Sequence, residues 1–361
     1  MIQQPNHLRQ SWLWLMLLPL LITLPSCSGT DADDAGKLPA ASTMPISFTA
    51  LSKWDEAQAK SSSAPHTRLS EDATTNAVSF SKNDAIGVFA YLNDSDTPNF
   101  MNNQKAVCTS DDGSSWSYSP VKYWPNNDAD ALSFCAYYPY RDSSDGDTIK
   151  AEPTSNAVLK LNYSCPNANI DLMATKKVAD QKYSSHQGQV PLAFKHLLAR
   201  VKFSFSYVGD DEYHPVIHVL KYTIPHYKGV VTCSSSQGSD FFSWDISSAQ
   251  NEDTAYIVRY VTDVAGTVIH EKNQVIPEFT SYILPGSFPY SPTAEGYIGT
   301  FVISLNNKLY AYTPKDQITV EAGKSYTVNF KVTTDYRGSG NYFITSYSIW
   351  KDGGTINGTL E

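Results

Sequence analysis

Tyr326, Val328, Phe330 and Val332 alternate with Thr327, Asn329, Lys331 and Thr333. Successive side chains of a β-strand point to opposite faces, so this pattern sets one face on a core and the other in water, as in an antiparallel sheet. Val201, Phe203, Phe205 and Tyr207 repeat it against Lys202, Ser204 and Ser206, and shorter copies are Leu159-Leu161-Tyr163 and Phe301-Ile303-Leu305. Leu132–Tyr138 is apolar at nearly every position and reads as a central strand buried on both sides. Turn-forming clusters such as Asp111-Asp112-Gly113, Pro125-Asn126-Asn127 and Lys351-Asp352-Gly353 separate the runs. Two stretches, Ser52–Lys60 and Leu192–Leu198, leave room for a helical turn or two. The 23 tyrosines fit the same picture, because Tyr favours half-buried pleated surfaces. With 41% hydrophobic residues in 361 the chain has the material for real cores, and no short fixed repeat suggests a propeller or solenoid. The expected fold class is all-β, two antiparallel β-sandwiches in tandem. Their boundary is placed at the acidic turn Val208-Gly209-Asp210-Asp211-Glu212, which gives domains 45–208 and 209–361.

The N-terminus reads as an export signal. Arg9 precedes the apolar run Trp12–Leu24, which is shorter than the ~20 residues a membrane helix needs and is interrupted by Pro19. Leu24-Pro25-Ser26-Cys27 follows and resembles a bacterial lipobox, which makes residues 1–26 the signal and Cys27 the lipidated first residue. Residues 27–44 are small, acidic and Pro-containing, as suits a tether. Asp31, Asp33 and Asp34 resemble the surface-export signal of Bacteroidetes lipoproteins, so the expected location is the outer membrane, facing outward. Removing residues 1–26 deletes one base and no acid, leaving 26 basic against 36 acidic residues, net −10. Nucleic acid is an unsuitable partner for such a surface, since phosphate binding needs clustered positive charge.

Motifs for chemistry are absent or incomplete. There is no GxSxG and no HExxH, and Ala322-Gly323-Lys324-Ser325 lacks the earlier glycine of a P-loop and leads into a strand. It is read as a turn. His214, His218 and His226 lack a carboxylate or Cys at ligand spacing, so neither a metal nor any other cofactor is expected. His196, flanked by Phe194, Leu197 and Leu198, reads as a packed histidine. Cys108, Cys135, Cys165 and Cys233 form no CxxC pair; disulfides are permitted outside the cytoplasm, while Cys135 is most simply a buried thiol. Trp116, Tyr118, Tyr123 and Trp124 have two readings, packing within the sheets or stacking on sugar faces.

Several segments, in order, resemble the fimbrillins, the type V pilins of Bacteroidetes, and their minor-fimbrillin-like relatives. They are Ile46–Ala50, Thr67-Arg68, Phe80–Tyr91, Trp116-Ser117-Tyr118, Tyr123-Trp124-Pro125, Leu132–Pro139, Phe194–Phe203, Ala322–Val328 and Ile349–Gly353. The resemblance implies two transthyretin-like β-sandwich domains and a role in assembly, adhesion and biofilm formation, not catalysis. It further implies proteolysis after a basic residue that follows the first strand, and filling of the vacated groove by a C-terminal segment of a neighbouring pilin subunit. On this chain Arg68 is the candidate cleavage point, the alternative being an ordinary loop arginine. Tyr342–Trp350 is the candidate donor, with Tyr342, Ile344, Ser346, Ser348 and Trp350 on one face; the alternative is a final strand of its own domain. Asp147-Thr148-Ile149 and Asp253-Thr254-Ala255 resemble the O-glycosylation signal of the same bacteria, which makes Thr148 and Thr254 candidates. A second function of a different class is a surface lipoprotein that binds glycans through exposed aromatics.

Overall fold

The computed structural model describes residues 43–53, 70–71, 77–126, 129–142, 148–186, 188–209, 214–234, 241–246, 256–263, 265–270, 274–290, 300–314, 317–334, 342–351 and 354–359. Nearly all of them lie in strands and the turns between strands. One helical turn is Tyr183–His186. No helix among the described residues is long and apolar enough to cross a membrane.

Two buried clusters organise these strands. The first is covered by a ten-stranded sheet and by the four-stranded sheet of Ile149–Pro153, Leu159–Ser164, Lys228–Cys233 and Phe242–Asp245. Leu132–Tyr138 runs between Ala85–Leu92 and Met173–Thr175 near the middle of the larger sheet, and all seven of its residues are buried. The absence of any polar–apolar alternation in that run is the mark of a strand covered on both faces. At Gly87, opposite Tyr137, an added Cβ would stand 2.2 Å from the Tyr137 ring, so this position takes no side chain without moving it.

The second cluster lies between the sheet holding Ala199–Val208, Ser325–Thr334, Tyr342–Lys351 and Gly354–Thr359 and the sheet holding Tyr256–Val261, Val216–Ile224, Phe301–Leu305 and Lys308–Tyr312. The two cleanest alternations in the sequence are neighbours here. Arg200–Val208 runs parallel to Ser325–Thr333 in unbroken register, and Val201, Phe203, Phe205, Val328, Phe330 and Val332 all point inward. Ala322-Gly323 is the turn in front of this strand, with Gly323 at φ +73° and its N–H donating to the Leu198 carbonyl at 2.9 Å.

The clusters do not divide at residue 208. Ala199–Val208 gives its inward side chains to the second cluster, while Val231, Cys233 and Phe241 return to the first. Ala199–Val208 and the strands after the acidic turn thus share the second cluster, and residues on either side of that turn also contribute to the first. The helical turn expected within Leu192–Leu198 is corrected. Gln189–His196 is a strand in which Val190, Leu192, Phe194 and His196 are inward. Alternation in this segment is interrupted chemically by Pro191 and Ala193, small apolar residues on the outer face, and that masks the period of two. Ser52 and Lys53 likewise end a strand, and residues 54–60 lie outside the described residues.

All four described cysteines are free and buried. Burial pushes the Cys135 thiol up and the Cys233 thiol up to about 12, so the reactive thiolate is scarce at neutral pH. Iodoacetamide at pH 8 is expected to leave these four unmodified in the folded chain and to alkylate all four in denaturant, as read by mass. Alkylation of any of them at the denatured rate in native protein would contradict this.

Candidate functional site

The segment Met44–Lys53 fills a slot along one edge of the first cluster. Its strand, Ser47–Lys53, is called the leading strand below. Alternation sets Ile46, Phe48, Ala50 and Ser52 inward, while Leu51 on the other face is 74% exposed. The strand lies parallel to Gln189–His196, with Ser47 opposite Gln189 and Ser52 opposite Phe194. On its other side it meets Ala77–Ser79 through Ser52 and Lys53.

The N-terminal end of the segment is strapped down by backbone bonds. The Ile46 N–H donates to the Lys122 carbonyl at 2.9 Å, and the Trp124 N–H donates to the Met44 carbonyl at 3.0 Å. Ser47 donates to the Gly188 carbonyl through both its N–H and its hydroxyl, at 2.9 and 3.1 Å. Tyr118 donates its hydroxyl to the Ile46 carbonyl at 2.8 Å. Inside the slot the Phe48 ring is tilted on Tyr118 at 5.5 Å between centroids and edge-on to Phe134 at 6.2 Å, separations at which aromatic rings attract.

The C-terminal end of the slot is polar. Ser52 Oγ lies 3.1 Å from His196 Nε2, and His196 Nδ1 lies 2.9 Å from Asp171 Oδ1. Ser52 is 8% exposed, His196 1% and Asp171 2%. A carboxylate oxygen accepts, so Nδ1 donates to Asp171; the Ser52 hydroxyl lies within hydrogen-bond distance of both Nε2 and Met173 Sδ, the latter at 3.3 Å. Asp171 also borders an open cleft of about 340 Å³ with Asn83, Asp84, Tyr138 and Arg141. There Asp84 accepts from the Ser81 N–H at 2.7 Å and from the Tyr138 hydroxyl at 3.3 Å, and burial raises the Tyr138 pKa.

The residues singled out in the sequence fall as follows. Cys27, Arg68 and Thr254 lie outside the described residues. Thr148 is half-buried just before the strand Ile149–Pro153. Tyr342–Lys351, which holds Ile344, Ser346, Ser348 and Trp350, is a strand of the second sheet between Ser325–Thr334 and Gly354–Thr359. Trp124 is 1% exposed and donates its ring N–H to the Gly188 carbonyl, so it presents no face to a sugar. Trp116 packs edge-on against Phe80 and donates to the Gly113 carbonyl, whereas Tyr123 is 48% exposed. The glycan reading thereby loses Trp124 to packing, while Trp116 is half-buried. His214 lies 5.0 Å from His270, ring to ring. No group of three or more metal-ligating side chains occurs among the described residues. Ser52 and Asp171 carry the polar end of the slot and were not singled out in the sequence. Ser52 was legible as the next inward position after Ile46, Phe48 and Ala50, while the pairing of Asp171 with His196 follows from the tertiary fold alone.

A sequence model of the fimbrillin-like family matches residues 67–350. The chain belongs to the fimbrillin-like family. This fimbrillin-like chain is 31% identical over 140 residues to the fimbrium subunit Fim1C of Phocaeicola vulgatus, a match covering 33% of this chain and 36% of that protein. It thus spans about a third of the length of that curated relative. Among solved structures it resembles a fimbrial protein of Bacteroides vulgatus at 16% identity, with a TM-score of 0.43 over 85% of this chain and 99% of the other. A fimbrial protein of Bacteroides ovatus gives 14% identity and a TM-score of 0.35 over 86% of this chain and 53% of the other. The leading strand of the fimbrillin-like chain lies before the residues that the family model matches.

Proposed function

We propose that this chain is a structural or accessory subunit of a type V surface pilus that serves adhesion and biofilm formation, polymerised by strand replacement in the slot of the leading strand. The observation that carries this reading is the arrangement of that strand. It buries one face, it is held parallel to Gln189–His196, far along the chain, and it joins the strands next along the chain through residues 54–69. A cut after Arg68 would sever that connection and leave the main-chain edge of Gln189–His196 open to another extended segment. Such β-augmentation draws affinity from main-chain hydrogen bonds and selectivity from alternate side chains in pockets. The proposed donor is Tyr342–Trp350 of another pilin subunit, drawn from a sheet in which it now has neighbours on both sides. Cys27 is the proposed lipid anchor in the outer membrane, and Thr148 and Thr254 are the proposed O-glycosylation positions. The role is structural and requires neither enzyme chemistry nor a cofactor.

The test is Arg68→Ala in the native host. Surface-extracted wild-type protein is expected to begin at Leu69 and to run as a ladder of heat-stable multimers. Arg68→Ala is expected to keep its first strand and run as a monomer. Normal multimers from Arg68→Ala would exclude a required cut at this residue.

A further inference from the structure

The polar end of the slot asks something of any strand that occupies it. Ser52, His196 and Asp171 are the residue types of a hydrolytic triad, at hydrogen-bond distances, yet all three are buried. Moreover, the serine sits on the one strand that the proposed cut removes, so no nucleophile would stay with the ring. The arrangement suits recognition better than hydrolysis. A buried ring nitrogen that loses its hydroxyl partner pays the desolvation of that nitrogen without return. Apolar pockets for Ile46, Phe48 and Ala50 tolerate slippage more readily than a hydrogen-bonding point does, and a slip of one residue turns the wrong face inward.

We propose that the His196–Asp171 pair fixes the register of the strand in the slot, and that in the polymer Ser348 of a second copy of this chain takes the place of Ser52. The inference rests on the strand-replacement reading and adds its register and the side chain selected. Ile46, Phe48, Ala50 and Ser52 run large, large, small, hydroxyl. For a regular strand lying in the same direction, Tyr342, Ile344, Ser346 and Ser348 repeat that order, once the register shift that sets Ile344 opposite Val332 but Ser346 opposite Lys331 in the chain's own sheet is straightened. Moving the donor by two residues one way brings Trp350 over the imidazole. Moving it by two the other way puts Ile344 where Ala50 fits. A single register satisfies both the small position and the hydroxyl position.

The full chain, cut after Arg68, is titrated with fluorescent peptides spanning residues 341–352 and, as a positive control, residues 44–54. The parent 341–352 peptide and its Ser348→Thr form are expected to bind alike, Ser348→Ala to bind about 10- to 100-fold more weakly, and Ser346→Ala to bind like the parent. His196→Phe in the acceptor should abolish the difference between Ser348 and Ala. Equal binding of Ser348→Ala and parent, or a greater loss from Ser346→Ala, overturns the register while strand replacement stands. Failure of both parent peptides, including residues 44–54, overturns strand replacement and the register with it. Should His196→Phe not fold, hydrogen exchange on the uncut chain replaces that comparison. Ser52→Ala is expected to lower amide protection in residues 47–52 about 10- to 100-fold, with Ser52→Thr restoring it, and unchanged protection in Ser52→Ala overturns the proposal.

Discussion

Phe48→Ala is expected to destabilise the uncut chain by about 3–5 kcal/mol, the range for deleting a buried aromatic side chain. The ring is buried and packs on Tyr118 and Phe134, so truncation leaves a void that neighbouring strands, held by the ladder on both sides, close only in part. Urea unfolding followed by fluorescence reads this as a lower midpoint with an unchanged slope. The more telling comparison is with assembled material. If the leading strand is discarded on assembly, multimers grown from Phe48→Ala should resist heat as wild-type multimers do, because residue 48 is no longer present. Multimers weakened as much as the monomer would mean that the strand stays in place.

The second large effect is expected from Phe203→Ala, again about 3–5 kcal/mol but with the opposite outcome in the polymer. Phe203 is buried in the second cluster, with ring centroids 5.0 Å from Tyr222, 6.3 Å from Phe301 and 6.5 Å from Phe330, the last with its ring plane nearly parallel. Its strand pairs from Arg200 to Val208 with Ser325–Thr333 and lies beyond any cut at Arg68. Uncut monomer and assembled multimer should therefore lose stability together. Equal urea midpoints for Phe203→Ala and wild type would show that this ring does not anchor the core.

The period of two located most of the strands, because each sheet has one covered face and a strand reports that directly in its side chains. Where both faces are covered, as in Leu132–Tyr138, the continuous apolar run was equally legible. The signal failed where chemistry and burial part company. Pro191 and Ala193 are apolar yet face outward, and they hid the strand Gln189–His196. The turn after Val208 is a different case. A polar turn ends a strand whatever core the strand belongs to, and Ala199–Val208 takes its core from Ser325–Thr334, more than a hundred residues later. The slot was half legible. Its apolar pockets follow from Ile46, Phe48 and Ala50, but no local pattern links Asp171 to His196 or either of them to Ser52.

The parallel pairing of the leading strand with Gln189–His196 has a thermodynamic consequence. The strand behaves as a ligand that the domain carries on its own chain. While residues 54–69 are intact, its effective concentration is set by the length of chain between it and the rest of the domain. Any break there converts a unimolecular equilibrium into a bimolecular one, and the stability that the domain owes to a filled site becomes a function of how much competing strand surrounds it. A subunit that has lost its leading strand would then be most stable where its neighbours are most abundant.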